Sequence, residues 1–363
     1  MQLGYWLKKI VMPKPSKLIY LNVNPEKDKT AWLLARHQGL GGSDLGSALG
    51  FNQAISPIEV FYEKVRTLPV MRPDVERTIW GKEHEPTIAK MWQYWDGDDW
   101  VENRNNKKVI RKAICSHRMI VNPDYPWLYA NVDRLFKESS FAPKGLLEIK
   151  TISGFVARMY VSGIPAYNLF QVLSYMTVIR NEYSELAQLY DGTELHVTPI
   201  RLSDFGSFQT QALESSKIFW DNVLQARQLL KENPDYLHEG NPTAQGMQAI
   251  SNLEPDLIGT ISEQDFLKEQ YKLAKNIGAV LGTPDDYELV TRYLVAKSKI
   301  KKENEEKNLH INKILHRLAG ETRMEFGDGC YITYRPDSRG FSTLRVSREL
   351  IKLIGINDDE TVN

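Results

Sequence analysis

The chain has 363 residues with 46 basic and 46 acidic side chains, so no overall charge draws it to nucleic acid or membrane, and any such surface must be a local patch offset elsewhere. Hydrophobic residues at 42% and charged residues at 25% fit a globular protein with a sizeable core, organised as one large or two modest domains. Cys115 and Cys330 are too few for a cysteine-ligated iron–sulfur cluster or zinc site, and no apolar run reaches the roughly 18 residues of a membrane span, so a soluble, cytosolic protein in a reducing compartment is expected.

Residues 1–27 are short apolar patches broken by Pro13, Pro15 and Pro25, the pattern of an extended arm or edge strand. Lys29 to Gln38 has helical spacing through Trp32, Leu33 and Arg36. The Gly-rich "GLGGSDLGSALGFN" then turns the chain, with Ser43 as N-cap of a new helix. "SPIEVFYEKVR" is a short helix with Ser56 at the cap and Pro57 in the first turn. "ERTIWGKEHEPTIAKMWQYW" is helical, with Pro86 near the start of a new turn.

From residue 108 the period changes to two, and "KVIRKAICSHR", "PWLYANVDRLF" and "GLLEIKTI" are predicted strands. The helix "PAYNLFQVLSYMTVIR", the strands "YSELAQLYDG" and "ELHVTPIRL", and a long helix opening at "SDFGSFQ" follow. The order α–β–β–β–α–β–β–α predicts an α/β fold with a mixed central sheet flanked by helices over 28–232. Residues 233–260, rich in Pro, Gly and Asn, are predicted to be a linker. In the remaining 261–363, charged helical segments at 262–280 and 284–320 predict an antiparallel hairpin projecting into solvent. A β-hairpin around Pro336 to Gly340 closes the chain.

The strand "GLLEIKTI" carries Glu148 and Lys150 on one face, about 7 Å apart along the strand. Asp133 lies in the preceding strand, and antiparallel pairing brings it beside Glu148. Two close carboxylates repel one another and are relieved by sharing a proton or binding a cation. Hard oxygen ligands suit Mg²⁺ or Mn²⁺, and the Ile149 backbone carbonyl offers another. Lys150 on the same face orients or deprotonates a water attacking a phosphodiester. An exposed Asp–Lys–Glu ion-pair network accounts for the same residues without catalysis.

In this order "VDRL" and "LLEIKT" resemble the Asp…Glu-x-Lys core of the PD-(D/E)xK nucleases, and residues 28–230 resemble the lambda-exonuclease/YqaJ viral recombinase branch. "WLLARHQGLGGSD" is similar to that family's W-x₃-R…G-x-S-[DE] element, "GKEHE" to its G-x₃-E helix, and "QVLSYM" to its Q-x₃-Y helix. Val132 stands where the superfamily has proline, and "RHQGLGGSD" has one extra residue. The resemblance implies a restriction-endonuclease-like fold and a Mg²⁺-dependent exonuclease with two metal ions. It would degrade double-stranded DNA 5′→3′ to expose single strands for phage-type recombination. It implies that Arg36 and Ser43 bind a DNA 5′-phosphate, that Glu85 is a third carboxylate near the metals held by Asp133, Glu148 and Ile149, and that Gln171 and Tyr175 approach the active site beside Lys150. A ring-shaped homo-oligomer (a trimer), a single-strand annealing partner and a phage or prophage origin in a bacterial host are further implications. The residues alone leave open a simple turn and N-cap at Gly41 to Ser43. A structure- or sequence-specific endonuclease and a catalytically silent DNA-binding scaffold are the rival functions.

Overall fold

Alternating apolar residues set the centre of the molecule. The computed structural model describes residues 16–153, 164–272, 281–336 and 342–355, and the chain divides into two compact units, Met1–Lys275 and Asn276–Asn363. The first unit opens with β1 (Ile19–Leu21), α1 (Lys29–Arg36), β2 (Leu40–Gly41), α2 (Gly42–Ala48), α3 (Pro57–Val65), α4 (Glu76–Trp92) and α5 (Val101–Asn105). Strands β3 (Ala113–Cys115), β4 (Met119–Val121), β5 (Leu128–Ala130), β6 (Arg134–Phe136) and β7 (Gly145–Ile152) follow, then α6 (Ala166–Ile179), β8 (Tyr183–Tyr190), β9 (Glu194–Arg201) and α7 (Gly206–Glu232).

Five strands form a mixed sheet in the order β3-β6-β7-β8-β9, antiparallel throughout except for the parallel pair β7 and β8, which α6 connects. This is the mixed sheet flanked by helices that the pattern predicts. One face of β7 joins Leu146 to the core shared with α2, α3, α6 and α7. The other sets Leu147 and Ile149 against Ile88, Ala89 and Trp92 of α4. A smaller sheet, β1-β4-β5-β2, holds β2 parallel to β5 and delivers the chain directly into α2. Helices α2 and α6 then cross at very short range, Gly42 against the Tyr175 ring and Gly46 against Tyr167. Among the described residues no helix is long and apolar enough to cross a membrane, and both cysteines are free.

Several expectations are corrected. "PWLYANVDRLF" is two strands in two sheets, β5 and β6, so Asp133 sits at the break between them. The N-cap of α2 is Gly41, because Asp44 rather than Ser43 returns a hydrogen bond to the cap backbone (Gly41 N–H to Oδ2, 3.1 Å). Pro86 lies inside a continuous α4 and begins no new turn. Residues 233–260 are no linker: helix α8 (Ala244–Ile250) buries Met247 and Ile250 in the main core, and Leu253 packs beside them. Helix α9 (Ile261–Lys272) also belongs to the first unit, since Phe266 and Leu267 pack on that core and buried Glu263 accepts from the Ile258 and Gly259 N–H groups. It is therefore not one arm of a hairpin in solvent.

The second unit carries helix α10 (Pro284–Leu318), capped by Thr283 and exposed from Pro284 to His310. A three-stranded sheet, β12-β13-β14, follows after the short strands β10 (Leu237–His238) and β11 (Asn241–Pro242) of the first unit. Its strands are β12 (Arg323–Gly327), β13 (Cys330–Pro336) and β14 (Ser342–Val346), and α11 (Arg348–Ile354) closes it. The predicted hairpin is thus β13 and β14 with an additional strand. The proposed N-terminal arm up to residue 15, the joint at 273–280 and the turn at 337–341 lie outside the described residues.

Candidate active site

The Gly-rich turn after α1 is organised by charge. Arg36 Nη2 donates to Asp44 Oδ1 and to Ser43 Oγ, each at 2.5 Å, while Lys64 Nζ from α3 lies 2.9 Å from Asp44 Oδ2. Lys64 also donates to the Arg36 carbonyl at 3.2 Å, and the Trp32 ring centre lies 5.3 Å from the guanidinium. Burial alone pushes the Asp44 carboxyl up, but Arg36 and Lys64 together hold it well below the usual carboxylate range. Asp44 in turn raises Arg36, whereas burial lowers Lys64 against the pull of Asp44. Among the described residues Arg36 is engaged through Nη2, which leaves its other N–H donors for a ligand.

The second cluster stands at the edge of β7 where β6 stops. Glu148 is buried, and its Oε1 accepts from Lys150 Nζ at 2.6 Å and Gln171 Nε2 at 2.5 Å. Its Oε2 is buried with no hydrogen-bond partner among the described residues. Asp133 Oδ2 accepts the Ile149 N–H at 2.8 Å. Because the N–H and C=O of one strand residue point to the same side, the Ile149 carbonyl faces the edge where Asp133 stands. Arg134 Nη1 donates to Glu85 Oε1 at 2.5 Å and to the Asp133 carbonyl at 2.7 Å.

Burial and then Glu148 push the Asp133 carboxyl well above its usual value; burial also raises Glu148, and the charge of Glu85 adds to both. Burial alone would lower Lys150, but Glu148 and Asp133 hold it above its ordinary value, so it is an ammonium here. The Tyr175 phenol is pushed up by burial and both carboxylates, which keeps it a neutral O–H.

These residues fit a hard divalent cation: the carboxylates are crowded, one buried oxygen is unpartnered, and a backbone carbonyl faces the same edge. Among the described residues no three His, Cys, Asp or Glu side chains converge in metal-holding geometry. The candidate donors are therefore Asp133, Glu148 and the Ile149 carbonyl, with Glu85 drawn onto Arg134.

A cavity of about 50 Å³ lies beside the Arg36 cluster, lined by Trp32, Arg36, Gly41, Ser43, Met119, Tyr129, Asn131 and Tyr175. Tyr175 is the common wall: its Oη lies 3.4 Å from Gln171 Nε2, which holds Glu148. The structure thus brings Asp133, Glu148, Ile149, Lys150, Gln171 and Tyr175 together, with Arg36 and Ser43 on the other side of Tyr175 and Glu85 held on Arg134. Sequence reasoning passed over Asp44, Lys64, Asn131 and Arg134. Asp44 lay within the quoted "GGSD", and Arg134 directly follows Asp133. Lys64, in an amphipathic helix 20 residues past Asp44, gave no local signal.

Residues 31–186 match the family model of the YqaJ-like viral recombinase domain. The uncharacterized protein YqaJ of Bacillus subtilis (strain 168) is 26% identical over 297 residues, which cover 81% of this chain and 80% of that protein. Crystal structures of an alkaline exonuclease (LHK-Exo) from Laribacter hongkongensis, one of them a complex with dAMP, superpose with a TM-score of 0.43 and 16% identity. They cover 57% of this chain and 99% of theirs.

Proposed function

We propose, from the match of residues 31–186 to the YqaJ-like viral recombinase domain together with the site's geometry, that the protein is a metal-dependent deoxyribonuclease that degrades double-stranded DNA from its ends, 5′→3′, to expose single strands for recombination. The observation that carries this reading is the position of Tyr175, which lines the cavity beside Arg36 and Ser43 and meets Gln171, the partner of Glu148, so that a cationic cradle and a carboxylate cluster stand on either side of one phenol ring. A terminal phosphate and the phosphodiester next to it would then be engaged together.

In this reading Arg36 and Ser43 hold the terminal phosphate by charge-assisted hydrogen bonds, and Asp44 with Lys64 keeps the guanidinium in place. Asp133, Glu148 and the Ile149 carbonyl hold Mg²⁺ or Mn²⁺, which when bound supplies Lewis-acid stabilisation of the reacting phosphate. Gln171 fixes Glu148, and Lys150 donates to the attacking water and offsets the charge building on the phosphate oxygens. Beside two unneutralised carboxylates Lys150 keeps its proton, so a role as base requires that their charge be cancelled first.

The test is digestion of a linear duplex labelled differently at its 5′ and 3′ ends, with and without a 5′-phosphate, beside a covalently closed circle. Release of the 5′ label first, faster with the phosphate, and an intact circle are expected. Cutting of the circle would turn the assignment to an endonuclease, and no cleavage under any divalent cation would leave a DNA-binding scaffold.

A further inference from the structure

Arg134 follows a candidate metal ligand in sequence, yet its side chain serves another. One nitrogen, Nη1, donates to Glu85 Oε1 at 2.5 Å and to the Asp133 carbonyl at 2.7 Å, tying the middle of α4 to the sheet edge that bears Asp133. The Arg134 side chain is 11% exposed and that of Glu85 32%, so the pair is partly shielded from water and salt. Glu85 is also close enough for its charge to act on both Asp133 and Glu148. Glu85 is thus one hydrogen-bonded nitrogen away from the Asp133 backbone, and its charge is already neutralised from within the protein.

We propose that Arg134 is a positioning residue that competes with the divalent cation for Glu85, withholding this third carboxylate from the donor set. The proposal rests on the metal-dependent reading above. Its physical basis is a single equilibrium: Glu85 faces either a guanidinium or the cation, and the cation's affinity is reduced by whatever is needed to break the ion pair. The positive charge of Arg134, fixed beside Asp133, acts in the same direction. The arrangement keeps Glu85 paired in the metal-free site, at the expense of cation affinity.

The experiment is Mn²⁺ binding to the whole chain without DNA, measured by isothermal titration calorimetry for wild type, R134A, R134K, E85Q and R134A/E85Q. R134A is expected to bind about tenfold more tightly, because Glu85 is released and a nearby cation is gone. R134K keeps an ammonium on Glu85 and stays within about threefold of wild type, as does E85Q alone, since Glu85 is already withheld. In R134A/E85Q the gain disappears. Equal or weaker binding by R134A with an unchanged melting curve overturns the proposal. Weakening of wild-type binding by about tenfold or more in E85Q alone also overturns it, and that measurement does not depend on R134A folding. A wild-type protein that binds no Mn²⁺ overturns the metal-dependent reading itself, whereas wild-type binding with no response to R134A removes only the role of Arg134.

Discussion

The two charged clusters on either side of the Tyr175 wall solve opposite electrostatic problems. Around Arg36 the carboxylate is fully partnered: Asp44 accepts from Arg36, Lys64 and the Gly41 N–H, and its carboxyl is held low. Around Glu148 the balance is incomplete. Burial raises the affinity of both carboxylates for protons, Glu148 adds to that of Asp133 and Glu85 to both, and among the described residues the cation on Glu148 reaches only Oε1. A satisfied cluster is rigid before any ligand arrives, which suits a recognition element; an unsatisfied one is built to receive charge. The comparison teaches that residues of the same types divide into framework and reactive centre by whether the carboxylate oxygens all have partners.

That contrast can be broken most severely at Lys150. Lys150→Ala is expected to lower the rate of nucleotide release by roughly 10²–10⁴-fold while Mn²⁺ still binds, as read by steady-state assay and calorimetry together. On the other side, Asp44→Ala strands Arg36 and Lys64 as neighbouring like charges. It should cost about 3–5 kcal/mol in urea unfolding. Asp133→Asn sharpens the difference, because it keeps an acceptor for the Ile149 N–H but removes one of the repelling charges. The metal-free variant should gain about 1 kcal/mol in the same urea measurement while losing cleavage.

The smallest effect is the pH dependence, where the signs oppose. Asp44, held below its ordinary 3.8, contributes stability that is present above that value and lost as pH falls through the lowered folded one. Asp133 and Glu148, held above 3.8 and 4.5, contribute stability that is present below those values and lost as pH rises through the raised folded ones. The melting-temperature gap between Asp133→Asn and metal-free wild type should therefore widen with pH across that upper window. A gap that narrows would mean the carboxylates are not mutually strained.

Much of this was legible in the sequence where one face of one element decides the outcome. "GLLEIKTI" is an apolar run bounded by turns and is β7 from Gly145 to Ile152, and Gln171 and Tyr175 share a face because they are one helical turn apart. Membership of a sheet was not legible. Alternation in "PWLYANVDRLF" is continuous, but pairing is decided by distant partners, Val121 for Tyr129 and Leu147 for Arg134. The break that sets Asp133 against the Ile149 N–H is a tertiary event. Likewise, Gly240 marks a turn as expected, but Gly246 lies inside α8, and Met247, Ile250 and Leu253 hold the segment to the core. Lys64 could not be read at all, since a lysine in a helix gives no hint that its ammonium is buried on a carboxylate 20 positions earlier.

The close crossing of α2 and α6 has a consequence for what the cavity can measure. The cradle rides on α2 and the Gln171–Tyr175 wall on α6, so the span between them is gauged by two absent methyl groups. A Cβ at position 46 would lie 2.8 Å from the Tyr167 backbone, and one at position 42 would collide with the Tyr175 ring. The pair acts as a caliper, and Gly46→Ala would open its jaws by a fraction of an ångström without altering a single charge.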